Sequence, residues 1–240
     1  MWITVAFCQP FTACLAEVRA WSRAHPQHLP IFILVETKQG ALHVDFPTVT
    51  PETFTPVIFD ALDREITSVF PAAETIRPDD VRGSYPTLNQ AVHADQWPTL
   101  RQARGKVIFL MDQKDMGPVY LEGHPSLKGR ILFTNADPGT TDSAFIEQND
   151  APADSINTLG RQGYLIRTRA DSDTKEARTN DTARRDAVLA SGAQIISTDY
   201  PSSEPATTGY QVELPGNAVA RCNPLIKPTS CVDSGFADDK

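Results

Sequence analysis

The nine residues Pro30-Ile31-Phe32-Ile33-Leu34-Val35-Glu36-Thr37-Lys38 constrain the fold most. Five apolar residues run without a break between Pro30 and the charged pair Glu36 and Lys38. A continuous run of this length and composition reads as a strand buried on both faces, the pattern of a parallel sheet. The charges begin where the run ends. In parallel α/β folds the carboxyl end of a strand is where active sites are built.

The same arrangement recurs along the chain. Apolar strands are expected at 106–112, 130–135, 164–171 and 193–200, each closing on polar residues. Helices are expected between them. Residues 11–24 place Cys14, Leu15, Val18 and Trp21 on one face. Thr50 and Pro51 suit the cap and first position of a helix carrying Phe54, Ile58, Leu62 and Ile66. Further helices are expected near 88–92, 98–104, 153–162 and from 180 or 181 to 190. A short strand is expected at 210–214. Five strands alternating with helices predict parallel β/α units. No Gly-x-Gly-x-x-Gly or Walker-type loop follows any strand, so a nucleotide-binding Rossmann fold has no support. A TIM-type (β/α) barrel fits better, because every strand ends in chemically capable groups.

The 240 residues carry a net charge of −8, which argues against general nucleic-acid binding through a basic surface. No run of 18 apolar residues marks a transmembrane helix. The amino terminus lacks the basic start and small-residue cleavage site of a signal peptide. The four cysteines fall into two close pairs, Cys8 with Cys14 and Cys222 with Cys231. They are either two small disulfide loops of an exported protein or four buried thiols. No Cys-x-x-Cys or neighbouring His pair supports zinc.

Three blocks carry a resemblance to a known family: the 29–38 strand; Arg167-Thr-Arg-Ala-Asp171 with Thr174, Glu176, Arg178 and Asp181 after it; and Ser191-Gly-Ala-Gln-Ile-Ile-Ser-Thr-Asp-Tyr-Pro201. Together with the helix over 14–26 they resemble the bacterial Ca²⁺-dependent phosphoinositide-specific phospholipase C family, whose members are distorted TIM barrels. The resemblance spans about residues 8–231 and is most specific in the last block. It implies a phosphoric diester hydrolase that cleaves the glycerol-phosphate bond of phosphatidylinositol at a membrane surface. A secreted or periplasmic location is implied as well.

The family uses one histidine in a His-Asn-Ser-Tyr-His-like motif after barrel strand one, a second after strand three, and a Glu-x-Asp pair after strand two. None of these is found here. The five strands therefore look like strands four to eight of an incomplete barrel over 1–205, followed by a Pro/Ser-rich, disulfide-closed extension over 206–240. Without the His pair, the family's two-histidine reaction is not expected of this chain.

The resemblance assigns Glu36 to Ca²⁺, a cation that takes several hard oxygen donors; the alternative is an ion pair with Lys38. Lys38 is either a phosphate-binding point charge or that structural partner. Arg167 and Arg169 alternate along one strand. They either bind phosphate or pair with Asp171, Asp199 or Asp112, and Arg169 is favoured on the substrate side. Tyr200 either stacks on an inositol ring or packs. Asp112 and Lys114 are weaker candidates. A glycerophosphodiester phosphodiesterase and a non-catalytic barrel remnant that binds anionic headgroups are the other readings.

Overall fold

The computed structural model describes residues 8–40, 51–227 and 231–236. Its strands are β1 (Ile31–Val35), β2 (Thr75–Ile76), β3 (Val107–Met111), β4 (Leu132–Phe133), β5 (Phe145–Glu147), β6 (Leu165–Arg169) and β7 (Ile195–Ser197). Every strand pairing is parallel. β3 is the central element and all five of its residues are buried. β1 lies along one side of it, from Ile31 opposite Val107 to Val35 opposite Met111. On its other side β2 pairs with its start and β4 with its end. β5, β6 and β7 form a second sheet in that order. A single bridge between Asn135 and Phe145 links the two sheets.

Among the described residues, β1, β3, β4, β5, β6 and β7 therefore stand as six successive neighbours, not five. The additional position is β5. Only Phe145 and Ile146 are apolar in it, too short a run to read as a strand against the following helix, Ala153–Arg161. β2 is likewise only two residues long.

Other boundaries move for local reasons. The helix expected to open at Thr50 opens instead as α2, Pro56–Val69; Thr50 itself lies outside the described residues. The Thr55 side chain accepts a hydrogen bond from Ile58 N and Pro56 occupies the first turn, so the same Thr-Pro pair of signals acts five residues later. The last helix begins at Ala183, not at 180 or 181, because Asn180 is left-handed (φ 53°) and ends the preceding helical turn. At 210–214 there is no strand, only an isolated bridge between Val212 and Pro201.

Both cysteine pairs form disulfides. Cys8–Cys14 ties the preceding residues to the first turn of helix α1, Phe11–Ala24. Cys222–Cys231 closes a loop in the last segment, which Arg221 and Asn223 fasten to the carbonyls of Leu189 and Gly192. Among the described residues no helix is long and apolar enough to cross a membrane.

The main core fills the space between the first sheet and its helices, with Phe59, Ile66, Phe70, Phe109, Leu110, Phe133 and Phe145 essentially inaccessible. One polar network runs through it. The Arg130 side chain is 1% exposed. It donates to Asp60 at 2.6 Å and Asp63 at 3.2 Å, and to the Tyr120 carbonyl at 2.8 Å. Its guanidinium lies 4.4 Å from the Tyr120 ring centre. The Tyr120 hydroxyl donates to Asp63 at 2.6 Å and accepts from the backbone of Ile131 and Leu132. Helix α2 is thereby fixed to the start of β4.

The turn into β6 requires glycine. Gly163 has φ +94°, and a Cβ there would collide with the Val92 carbonyl oxygen. Its own carbonyl accepts from Trp97 Nε1 at 2.8 Å. Gly163→Ala is expected to lose about 2 kcal/mol of stability, from the left-handed backbone and the clash together. A urea midpoint indistinguishable from wild type would refute this.

Candidate active site at the carboxyl ends of the strands

Register determines which side chains share a face. Phe32 faces Ile108 and Leu34 faces Leu110 across β1 and β3, so the next position of that parity carries Glu36 and Asp112. Across β5 and β6, Phe145 is opposite Leu165 and Glu147 opposite Arg167. Side chains of one parity from neighbouring strands form layers inside a β/α barrel. That face therefore ends in Glu36 and Asp112 on the first sheet and in Glu147 and Arg167 on the second.

Hydrogen bonds bind the layer together. Asp112 N donates to the Val35 carbonyl at 3.1 Å. Gln113 accepts from Thr37 N and donates to the Asp112 carboxylate. Asn135 donates to the Asp112 carbonyl at 3.0 Å and accepts from Glu147 N at 3.1 Å, pinning the ends of three strands. Arg167 lies 3.4 Å from Glu147 Oε2 and donates to Asn149 at 2.9 Å. Asn149 donates back to Glu147 Oε2 at 3.3 Å.

Glu147 is the group sequence reasoning missed. Its side chain is 7% exposed and its Oε1 is buried with no hydrogen-bonding partner. Burial pushes its carboxyl up to about 7; Arg167 opposes this, while the Asp112 carboxylate adds to it. A strand with an interior acid after two apolar residues leaves almost no trace in sequence. The one signal was the Ala144-Phe145-Ile146 run ending in a charge, as the other strands do.

The expected residues are placed as follows. Glu36 and Lys38 form an ion pair of 2.9 Å with more than half of each side chain exposed, and that hydrogen bond raises the Lys38 pKa. Arg167 and Arg169 do share a face, but their partners are not Asp171, Asp199 or Asp112. Arg167 pairs with Glu147. Arg169 binds Asp150 through two contacts of 3.0 and 2.8 Å, and Arg184 joins the same carboxylate at 2.6 Å. The hydrogen bonds from Arg169 and Arg184 hold the Asp150 carboxyl below its usual range. Asp171 turns elsewhere, accepting from Thr198 and from Asp199 N. The Tyr200 ring meets Tyr210 edge to face at 5.8 Å. Lys114 pairs with Asp137.

The described histidines sit at the opposite end of the strands. His25 and His28 precede β1, with His28 2.7 Å from Ser22 Oγ. His93 meets the hydroxyl of Tyr164, just before β6, at 3.2 Å. His124 contacts the Lys128 carbonyl at 2.8 Å ahead of β4. His43 lies outside the described residues. Among the described residues, no three His, Cys, Asp or Glu side chains gather into a group that could hold a metal ion. Glu36 offers one exposed carboxylate, already engaged by Lys38, whereas calcium takes six to eight oxygens. The described residues do not fit a calcium site.

A family described as phosphoinositide phospholipase C, Ca²⁺-dependent, matches residues 4–224. A calcium-dependent phosphoinositol-specific phospholipase C from the Gram-negative bacterium Pseudomonas sp. superposes with a TM-score of 0.59 at 18% identity, covering 86% of this chain and 72% of that one. A Ca²⁺-dependent phosphatidylinositol-specific phospholipase C from Streptomyces antibioticus gives a TM-score of 0.55 at 20% identity, covering 82% and 72%. At these identities the likeness is one of fold. No curated protein sequence matches the chain.

Proposed function

Because the chain belongs to the Ca²⁺-dependent phosphoinositide phospholipase C family, we propose that it is a phosphodiesterase acting on phosphatidylinositol or a closely related phosphodiester. The observation that carries this reading is the layer of charged side chains at the carboxyl ends of β1, β3, β5 and β6, where a barrel of this type places its chemistry. Residues 8–205 supply part of such a barrel, with six neighbouring strands among the described residues where strands four to eight would give five, and the segment after 205 forms an extension with a loop closed by Cys222–Cys231. Arg169 and Lys38 bind the phosphate, Arg167 orients it, and Tyr200 borders the inositol. Each of these cations now holds a carboxylate, so substrate binding exchanges one anion for another: Asp150 for Arg169, and Glu36 for Lys38. Glu36, freed in that exchange, offers one carboxylate, and the described residues supply no further group that would complete a calcium site around it. The disulfides and the family favour a secreted or periplasmic protein working at a membrane surface.

The histidine placement favours a second reading, a non-catalytic protein that binds phosphoinositide headgroups. One experiment separates the two. The full chain is incubated with phosphatidylinositol vesicles with and without Ca²⁺, and both pelleting with the vesicles and release of soluble inositol phosphate are measured. Release is expected, and Arg169→Ala is expected to raise KM about tenfold. Pelleting without release selects the non-catalytic reading; neither pelleting nor release overturns both.

A further inference from the structure

We propose that Arg169 and Arg184 together form a phosphate-binding site that Asp150 occupies until substrate arrives, so that Arg184 is a substrate-binding residue and Asp150 an internal competitor. This deepens the phosphodiesterase reading above and rests on it for the identity of the substrate. Arg169 closes β6, and Arg184 lies in the first turn of the helix Ala183–Ala190. Both reach one carboxylate oxygen: Asp150 Oδ1 is 3.0 Å from Arg169 Nη2 and 2.6 Å from Arg184 Nη2. Two guanidiniums converging on one anionic oxygen also suit a phosphate, whose oxygens spread tetrahedrally and can serve both.

Arg184 is anchored independently of that carboxylate. Its Nε donates to the Arg169 carbonyl at 3.2 Å and its Nη2 to the Asn149 carbonyl, while Nη1 lies 3.5 Å from Glu176. Glu176 is itself fixed by Ser172 N at 2.9 Å. Asp150 is the loosest member. Its side chain is 65% exposed, against 33% for Arg169 and 26% for Arg184. Its fit to Arg169 is also incomplete. Both oxygens crowd on Nη2, at 3.0 and 2.8 Å, whereas Arg169 Nε is buried with no partner. A fork-to-fork pair would use two nitrogens. Beside Asp150 lies a cavity of about 470 Å³, lined by Ala151, Pro152, Ile156, Val188 and Ser191 among others, into which the carboxylate can withdraw.

Charge points the same way. Asp150 and Glu176 balance Arg169 and Arg184, so the cluster is neutral as it stands and carries one net positive charge once Asp150 leaves. Arg167, next on the same face of β6, is held by Glu147. Asp150 is tethered and so competes at a high effective concentration. Substrate affinity is then reduced to the fraction of molecules in which Asp150 has let go.

The test titrates the full chain with inorganic phosphate by calorimetry at low salt, and measures kcat and KM on phosphatidylinositol vesicles with Ca²⁺. Asp150→Asn keeps the shape of the side chain and removes its charge. It should bind phosphate about tenfold more tightly than wild type and lower KM by a similar factor, with kcat within about twofold. Asp154→Asn removes an exposed carboxylate in the first turn of the next helix and should change neither, which separates a freed site from a general effect of charge. Adding Arg184→Gln to Asp150→Asn should abolish the gain. Because Arg184 also holds two backbone carbonyls, Arg184→Lys is run beside it. Lysine keeps the charge but lacks the planar fork, and should lose most of the gain. Urea midpoints establish that each variant is folded. Asp150→Asn binding phosphate no better than wild type or Asp154→Asn would overturn the occupied site. A gain that survives replacement of Arg184 would overturn the part of that arginine. The binding series needs no turnover. A wild type inactive under every condition fails the phosphodiesterase reading, and the phosphate titrations still decide whether the two arginines form an anion site.

Discussion

Arg130→Met should lower the unfolding free energy by about 3–5 kcal/mol, the largest loss expected from any single replacement outside the apolar core. The arginine is sealed from solvent and serves Asp60, Asp63 and the Tyr120 carbonyl at once. Methionine fills similar volume, so the loss is electrostatic. It strands Asp63, whose carboxyl burial already pushes up despite the Tyr120 hydroxyl and Arg130 opposing it. Without the guanidinium, Asp63 must either bury an uncompensated charge or take up a proton. Adding Asp63→Asn to Arg130→Met should therefore recover part of the stability, because the stranded charge is gone. Urea unfolding of both variants checks the pair. A single variant within about 1 kcal/mol of wild type would show that the network contributes little.

The second large effect is a dependence of stability on pH that belongs to Glu147. Its carboxyl has an ordinary value of 4.5 and titrates near 7 in the fold. Between those values the folded chain binds a proton that the unfolded chain does not, so unfolding releases it and stability falls as pH rises. The contribution is complete below about 4.5 and lost by the time pH has passed through about 7, for a total of about 3 kcal/mol. Glutamine at 147 cannot titrate. The stability difference between wild type and Glu147→Gln should change by that amount across the window, with the wild type gaining relative to the variant as pH falls. Denaturant midpoints at pH 5 and pH 8 measure it, and a difference that does not move with pH would contradict the burial of this acid. Subtracting the variant cancels the other titrating groups, Asp63 among them.

How much of this was legible in sequence depends on where the information lies. β1 and β3 announce themselves as unbroken apolar runs because both faces of a central parallel strand are covered. The disulfides were legible because each pair is close in sequence. β2, β4 and β5 were missed or overextended because two or three residues carry no period. The site divides in the same way. Glu36, Lys38, Arg167 and Arg169 follow or lie in long strands and could be marked as candidates. Their partners could not. Asp150 and Glu147 reach the arginines through the register between β5 and β6, a relation across 19 or 20 residues that no local pattern records. Asp171, two residues from Arg169 in sequence, was the obvious partner. It instead accepts hydrogen bonds from Thr198 and Asp199 N, at the start of the segment after β7.

The central claim is that the charged layer at the strand ends performs phosphodiester cleavage. Incubating the 240-residue chain with phosphatidylinositol vesicles, with Ca²⁺ or with chelator, tests it most directly. The account predicts soluble inositol phosphate released in the presence of Ca²⁺ at neutral pH. Vesicle binding with no inositol phosphate released under any condition would contradict it.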